Sequence, residues 1–521
     1  MTPQIRYTVR VALTVALGGF LMGFDASVIS GVVTFIEPEF QLSNIELGWA
    51  VASLTLTATL AMMVSGPLSD RFGRRAVLKA AALLFSLSAV ASAVAPDYVT
   101  LVAARMLGGL GVGAALIIAP MYIAEISAPE VRGRMVSFNQ LNIVIGISAA
   151  YFSNFLILHL GQSDLAWAEA LRLGEWNWRW MLGVEALPAI FYFIALFFVP
   201  ESPRWLVMRG RESESLEILA RATGPDRAAA AIADVKAMLR AEAGAAQGTL
   251  RELFAPAMKL VLTIGIAVAI LQQITGINAV FFYAPMIFEQ SGVGTDASFM
   301  QAVLVGLVNL VFTVLAILTI DKLGRRPLLL FGLTVIAVCM FLLAYGFGSA
   351  TYTLNADALA ALPDSLDVAA LQPLLGQTFD SDVAFRGALG AAIGSEALIT
   401  HQSALVSAAI SMNPTLILLG ILGFVAGFAI SLGPVMWVLF SELFPNRVRG
   451  IAISFVGLIN SAISFLVQLV FPWELETLGN STTFLIYGSF AVIGLVIVAR
   501  LLPETKGKSL EELEAQLVHK P

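Results

Sequence analysis

Long apolar runs separated by short polar connections fill the chain between residues 9 and 503. A helix needs about 20 apolar residues to cross the hydrocarbon core of a bilayer. Scanned with a window of about 19 residues, the chain gives twelve such stretches: 9–32, 47–69, 77–95, 99–124, 137–160, 179–200, 260–289, 299–320, 327–348, 414–443, 448–472 and 481–503. They predict twelve membrane-spanning helices, numbered spans 1 to 12 in chain order. The first is not expected to be a cleaved signal: it exceeds the apolar length of one, carries Asp25 and is followed by no small-residue cleavage site. Residues 201–259 are rich in Arg, Glu and Ala at helical spacing and predict amphipathic helices. Residues 349–413 are acidic, with Asp357, Asp364, Asp367, Asp380 and Asp382, and are expected to form an extracytoplasmic insertion. Within it 387–411 is apolar enough to suggest a thirteenth span. That crossing would place Arg447, Arg449 and Lys506 outside, so parity argues against it.

Composition agrees with a chain dissolved in lipid. Of its 521 residues 58 % are hydrophobic and 13 % charged, with a mean hydropathy of +0.85; soluble domains average about 45–50 % and 25 %. Cys339 alone excludes a disulfide framework, and His159, His401 and His519 are too scattered for a metal motif. A net charge of −6 offers no basic face for nucleic acid. No metal, cofactor or enzymatic nucleophile–base pair is expected. The cluster Gly108, Gly109, Gly111 and Gly113 lies inside a span and follows no strand, which suits close helix packing rather than a nucleotide loop. Arg71, Arg74, Arg75, Arg132, Arg134, Arg204, Arg211, Lys236, Lys322, Arg325, Arg326, Arg447, Arg449 and Lys506 fall on the tails and on connections after even-numbered spans. The alternate connections hold Arg172, Arg179 and Arg386. Basic loops stay inside, so both termini are expected in the cytoplasm of a multi-pass cell (inner) membrane protein.

The chain repeats itself. Asp70-Arg71-Phe72-Gly73-Arg74-Arg75 after span 2 matches Asp321-Lys322-Leu323-Gly324-Arg325-Arg326 after span 8. Glu125 with Arg132 matches Glu442 with Arg449 at the same seven-residue step, and Pro200-Glu201-Ser202 matches Pro503-Glu504-Thr505. Matched spacing in matched order predicts two six-helix halves, 1–200 and 260–503, with 201–259 as linker, 349–413 as insertion and 504–521 as tail. Pseudo-symmetric halves suit alternating access around a midplane site. Glu125 and Arg132 are expected to bridge Arg74 and Arg75, and Glu442 and Arg449 to bridge Arg325 and Arg326. With Asp321 these form a cytoplasmic gate.

Gly66-Pro67-Leu68-Ser69-Asp70-Arg71-Phe72-Gly73-Arg74-Arg75 resembles the loop signature of the major facilitator superfamily. Pro200-Glu201-Ser202-Pro203-Arg204-Trp205-Leu206, Gln272-Gln273-Ile274-Thr275-Gly276-Ile277-Asn278 and Pro503-Glu504-Thr505-Lys506-Gly507 resemble its sugar porter branch. The chain is similar both to bacterial proton–xylose symporters and to facilitative glucose carriers over nearly its whole length except 349–413. The resemblance implies an all-α membrane protein of the major facilitator fold.

A sugar needs amides that both donate and accept, with an aromatic face for its C–H side. A single buried amide more often ties helices together. The resemblance implies sugar-contacting roles for Gln140, Gln272, Gln273, Asn278, Asn309, Trp437 and Asn460, and an extracellular gate at Phe282 and Tyr283. Gly276 and Pro285 are expected to let span 7 bend or break. Ile147 stands where the xylose symporters have a second span-5 glutamine, and Ser461 where both relatives have a tryptophan.

Two charges are singled out within the membrane, Asp25 in span 1 and Arg105 in span 4. An intramembrane ion is costly, and the residues alone fit either a static ion pair or a coupling pair. The resemblance implies the latter, because the proton-coupled members carry this aspartate and the facilitative carriers a neutral amide. The expectation is import of a hexose or pentose by proton symport, with the chain working as a monomer in the bilayer. An uncoupled sugar uniporter is the alternative, and a sugar sensor a more distant one, since 504–521 is too short for a signalling domain.

Overall fold

The structure, a computed structural model, describes residues 3–128, 131–244, 249–360, 362–363, 365–445, 447–508 and 512–513. Asp364, His519, residues 245–248 of the linker and most of the 504–521 tail lie outside the described residues.

Among the described residues eleven helical segments are long and apolar enough to cross a membrane. They are Pro3–Phe40, Asn44–Phe72, Arg74–Ala93, Tyr98–Ile126 and Arg132–Gly161 for spans 1 to 5. Pro256–Glu289, Thr295–Leu323, Arg325–Gly348, Pro414–Leu443, Arg449–Thr477 and Asn480–Leu501 follow for spans 7 to 12. Span 6 differs from its prediction, forming two shorter helices, Asn177–Gly183 and Ala186–Ala195. Pro188 explains the break. It has no N–H for the Val184 carbonyl four residues back, and that carbonyl accepts from Leu187 instead, at 3.2 Å. Span 7 breaks as expected: Lys259–Ile274 ends and Ile277–Glu289 begins across Gly276, whose φ of +92° is a left-handed conformation that favours glycine. Span 10 divides into Pro414–Ile430 and Leu432–Leu443 at Ser431.

The chain forms two compact units. The first comprises Met1–Val28, Ser53–Ala150 and Arg179–Gln247. Its core is built from spans 1, 3, 4 and 6, with Val15, Phe85, Ile118, Tyr122 and Tyr192 fully buried. The span-4 glycines are points of helix contact: a Cβ on Gly113 would stand 2.1 Å from the Ala58 carbonyl oxygen, and one on Gly109 would stand 2.4 Å from that of Leu54. The linker contributes helices Pro203–Met208, Glu212–Thr223 and Pro225–Gly244. They close a small apolar cluster on Val207, Leu219, Ala228 and Ile232.

The second unit comprises Ile29–Ala52, Tyr151–Trp178 and Gly248–Pro521. Here the ends of spans 1, 2 and 5 pack with the C-terminal spans on the side that carries the insertion. Gly48 lies so close to span 11 that a Cβ there would meet the Leu469 carbonyl at 2.0 Å. Next to it Trp49 stands edge-on to Phe465 with ring centres 5.7 Å apart. The insertion is a folded body with three short antiparallel strands, β1 (Thr351–Thr353), β2 (Thr378–Phe379) and β3 (Ile410–Ser411), in the order β2-β1-β3. Tyr352 of β1 sits opposite both Phe379 and Ile410. Its core gathers Tyr352, Leu354, Leu371, Phe385 and Leu405. The apolar stretch 387–411 does not make one span: Gly394 at φ +83° separates Asp382–Ile393 from Ser395–Ala409, each too short to cross. Asp382 fixes this body to span 12, accepting hydrogen bonds from the Asn480 backbone N–H at 3.0 Å and side-chain amide at 2.8 Å.

Candidate functional site

In the first unit span 1 brings Asp25, and span 4 Arg105, into a shared interior. Both are 2 % exposed, and Arg105 Nη1 donates to Asp25 Oδ1 at 2.6 Å and to the Asp25 carbonyl at 3.1 Å. Asp25 Oδ2 and Arg105 Nε have no partner, so each charge keeps one face uncommitted. Gly108 makes room for the pair, since a Cβ there would lie 2.7 Å from Asp25 Oδ2 and 2.5 Å from Ser88 Oγ.

A third charge joins them. Glu185, at the break in span 6, is 3 % exposed and interacts electrostatically with both Asp25 and Arg105. The expectation of two intramembrane charges is therefore corrected. Glu185 sits six residues into the predicted stretch 179–200 and was legible there. Gln140, the one predicted sugar contact in this unit, lies exposed on span 5.

In the second unit the break in span 7 faces span 11, and their amides form a continuous network. Asn460 Nδ2 donates to Gln272 Oε1 at 2.8 Å and to the Ala269 carbonyl at 2.9 Å. Gln273 Nε2 reaches Gln272 Oε1 and Asn460 Oδ1, both at 3.2 Å, and Asn278 Nδ2 reaches Gln273 Oε1 at 2.8 Å. Two further members escaped sequence reasoning. Ser464 Oγ accepts from Asn278 at 2.6 Å and from Gln468 Nε2 at 2.9 Å. Asn460, Ser464 and Gln468 follow one another at four-residue steps, a polar stripe on an otherwise apolar helix that could have revealed them. Asn309 is buried in span 8, and Trp437 is half-exposed, edge-on to Phe440 at 6.0 Å. Among the described residues no hydrogen bond joins either to the network. Phe282 and Tyr283 are buried, and Tyr283 Oη donates to the Gln468 carbonyl at 3.0 Å. Tyr283 has left helical geometry (φ −127°, ψ 17°) just before Pro285.

The paired motifs form the expected ion pairs in part. Arg74 binds Glu125 at 3.0 Å and Asp70 at 2.7 Å; Arg325 binds Glu442 at 2.8 Å and Asp321 at 3.2 Å. Arg75 and Arg326 turn elsewhere: their backbone N–H groups donate to Glu201 and Glu504 at 3.1 Å, and their guanidinium groups to the carbonyls of Val199 and Ala499. The turns at Gly73 and Gly324 aim these amides at the two glutamates. Arg132 is exposed, without an ion pair among the described residues. Arg449 donates to the Phe444 carbonyl at 3.1 Å instead of bridging to Arg325 or Arg326. Glu125 and Glu442 are already filled by Arg74 and Arg325, with Ser202 and Thr505 on their second oxygens.

The sequence matches the family described as "Sugar (and other) transporter" over residues 11–361 and 383–517. The chain belongs to the sugar porters of the major facilitator superfamily. It is 35 % identical to the D-xylose-proton symporter of Escherichia coli, covering 98 % of this chain and 95 % of that protein. It is 34 % identical to the arabinose-proton symporter of Bacillus subtilis, covering 98 % and 94 %. Among solved structures, the inward open conformation of the xylose transporter XylE from E. coli superimposes with a TM-score of 0.74 at 32 % identity, over 98 % of this chain and 100 % of that one. The fold is therefore that of the major facilitator sugar porters, an integral membrane architecture of transporters rather than enzymes. The family match skips residues 362–382, which lie inside the folded insertion.

Proposed function

We propose that this sugar porter imports a monosaccharide, a hexose or pentose, by proton symport through alternating access. The observation that carries the proposal is the Asp25–Arg105 pair, a carboxylate and a guanidinium held at 2.6 Å with 2 % of each exposed. An ion pair so enclosed persists only while both charges remain. A proton delivered to Asp25 removes one charge, releases Arg105 and changes which packing of spans 1 and 4 is favoured. That is the differential free energy an alternating carrier requires. Glu185 belongs with this group as a third titratable neighbour. A proton crossing 100 mV carries about 2.3 kcal/mol, roughly a fifty-fold concentration ratio for a neutral sugar.

In this reading Gln272, Gln273, Asn278 and Asn460 supply the sugar's hydrogen-bond partners, with Gln140, Asn309 and Trp437 as further contacts. A sugar hydroxyl replaces amide–amide bonds one for one, which keeps the exchange nearly neutral and reversible. Phe282 and Tyr283 close the extracellular side. The Arg74–Glu125 and Arg325–Glu442 networks, with Arg75, Arg132, Asp321, Arg326 and Arg449, form the cytoplasmic gate. The halves 1–200 and 260–503 move as bodies about the linker in a monomer, with both termini in the cytoplasm and the protein in the inner membrane.

The test is uptake of a panel of sugars into proteoliposomes with and without an imposed pH gradient. Accumulation above the equilibrium level is expected only with the gradient. Asp25→Asn should abolish it yet leave counterflow exchange of the same sugar. Accumulation that survives this substitution would remove Asp25 from the coupling role, and gradient-independent uptake by the natural protein would leave a uniporter.

A further inference from the structure

A pocket opens beneath the insertion, outside both the amide network and the Asp25 pair. Three elements wall it: the end of span 1 with Thr34 and Glu37, the end of span 7 with Glu289 and Gln290, and the Ser395–Ala409 helix with Thr400 and Ser403. Gln41, just past span 1, donates to Thr400 Oγ1 at 3.4 Å and seats that helix on the rim.

Several polar atoms in this wall have no partner, although Glu289 also takes hydrogen bonds from the side chains of Thr295, Ser298 and Ser403. Glu289 and Gln290 are 5 % and 7 % exposed, yet Glu289 Oε1 and both amide atoms of Gln290 have no hydrogen-bond partner. The buried hydroxyl of Thr34 has none either. Buried polar atoms are normally paired, and each exception calls for a cause. No Lys, Arg or His lines the pocket. Arg386 acts on Glu37 electrostatically, but its guanidinium is already held by Asp382 at 2.9 Å and by the Leu475 carbonyl at 3.1 Å. Glu37 and Glu289 act on each other as like charges, and two facing carboxylates do not both ionise readily; with the nearby arginine already spent on Asp382, the pair carries close to one uncompensated negative charge.

We propose that this pocket binds a small monovalent metal cation of the alkali class, held by Glu37 and Glu289 and completed by the oxygens of Thr34, Gln290 and Ser403. Carboxylate, amide carbonyl and hydroxyl oxygens are the donors that hard cations select, whereas zinc and the softer metals require nitrogen or sulfur. With two carboxylates in the lining that share about one negative charge, the pocket suits one positive unit rather than two. Bound there, the ion ties the insertion to spans 1 and 7 at once.

The site is tested without reference to transport, by thermal unfolding of the full chain in detergent at mildly alkaline pH. Sodium or potassium chloride is titrated against N-methylglucamine chloride at constant ionic strength. A saturable rise in Tm is expected with an alkali cation and not with N-methylglucamine. Glu289→Gln should abolish the rise, Gln290→Met should shift its midpoint at least tenfold to higher concentration, and the exposed Asp380→Asn should leave it intact. The proposal is overturned by a Tm indifferent to alkali cations, by an equal rise in both pocket variants, or by a rise with calcium alone. Gln290→Met keeps the test decisive should Glu289→Gln fail to fold.

Discussion

Pro285 sits in the second segment of span 7, Ile277–Glu289, and cannot donate to the carbonyl of Phe281 one turn earlier. In a membrane interior no water replaces the lost bond. Tyr151 of span 5 supplies it instead, its hydroxyl donating to the Phe281 carbonyl at 2.6 Å. The tyrosine is 1 % exposed, so nothing else reaches that oxygen cheaply. A buried acceptor left unsatisfied costs about 1–3 kcal/mol. Tyr151→Phe, which removes the hydroxyl alone, is expected to lower stability by about that amount in detergent-phase unfolding. Tyr192→Phe is the comparison. Its hydroxyl reaches the Val15 carbonyl at 3.2 Å inside an unbroken helix, where the acceptor keeps its helical donor. The smaller loss is expected there; equal losses would mean that the proline plays no part.

At the scale of whole elements, most of the fold was readable because lipid leaves few choices. Runs of apolar residues long enough to span become helices, and eleven segments lie where the runs predict them. The breaks divide into two kinds. Gly276 announced itself in the sequence, since a glycine amid polar amides before a proline is a known point of weakness. At Pro188 and Ser431 the signal is a proline within an apolar run. Pro188 and Pro434 lack the N–H that the carbonyls of Val184 and Ile430 would take, which marks the turn where each helix weakens but not the residue at which it divides. The Gln272–Asn460 network was legible only as separate polar residues. Its closure depends on spans 7 and 11 meeting face to face, which no single-chain periodicity encodes, although the Asn460–Ser464–Gln468 stripe marked the receiving face. Glu185 was legible as an acidic residue inside the predicted span 6, but its meeting with Asp25 and Arg105 depends on how spans 1, 4 and 6 pack. The glycine cluster in span 4 is the clearest success of local reasoning. Gly113→Val should be severely destabilising, because its Cβ would stand 2.1 Å from a backbone oxygen that cannot move without moving span 2. Recovery of folded protein after detergent extraction measures it. Gly133→Val meets nothing within 4 Å and is expected to extract normally.

Across the whole molecule the repeat seen in the sequence returns as two copies of one device. Each copy begins with a glycine at strongly positive φ, +100° at Gly73 and +94° at Gly324. An arginine follows that grips a glutamate, Arg74 on Glu125 and Arg325 on Glu442. Each glutamate takes a second hydrogen bond from a hydroxyl, Ser202 at 2.5 Å and Thr505 at 2.6 Å. Each is completed by a second glutamate that accepts backbone amides, Glu201 from Arg75 and Glu504 from Arg325 and Arg326. At Glu504 burial pushes the carboxyl up, but the amides of Lys506, Arg325, Arg326 and Thr505 outweigh it and hold it below the usual carboxylate range. The copies are alike in geometry and unequal in enclosure. Arg74 and Glu125 are 4 % and 9 % exposed at the side chain, Arg325 and Glu442 11 % and 20 %. Removing one partner of a buried pair strands the other charge and costs about 3–5 kcal/mol, whereas wetter pairs approach the 0–1 kcal/mol of the surface. Arg74→Ala is therefore expected to lower the unfolding temperature well beyond Arg325→Ala, with Glu125→Gln restoring part of the first loss by removing the stranded charge. If the two arginine variants unfold at the same temperature, burial does not set the strength of these networks, and the shared hydrogen-bond pattern alone must carry both.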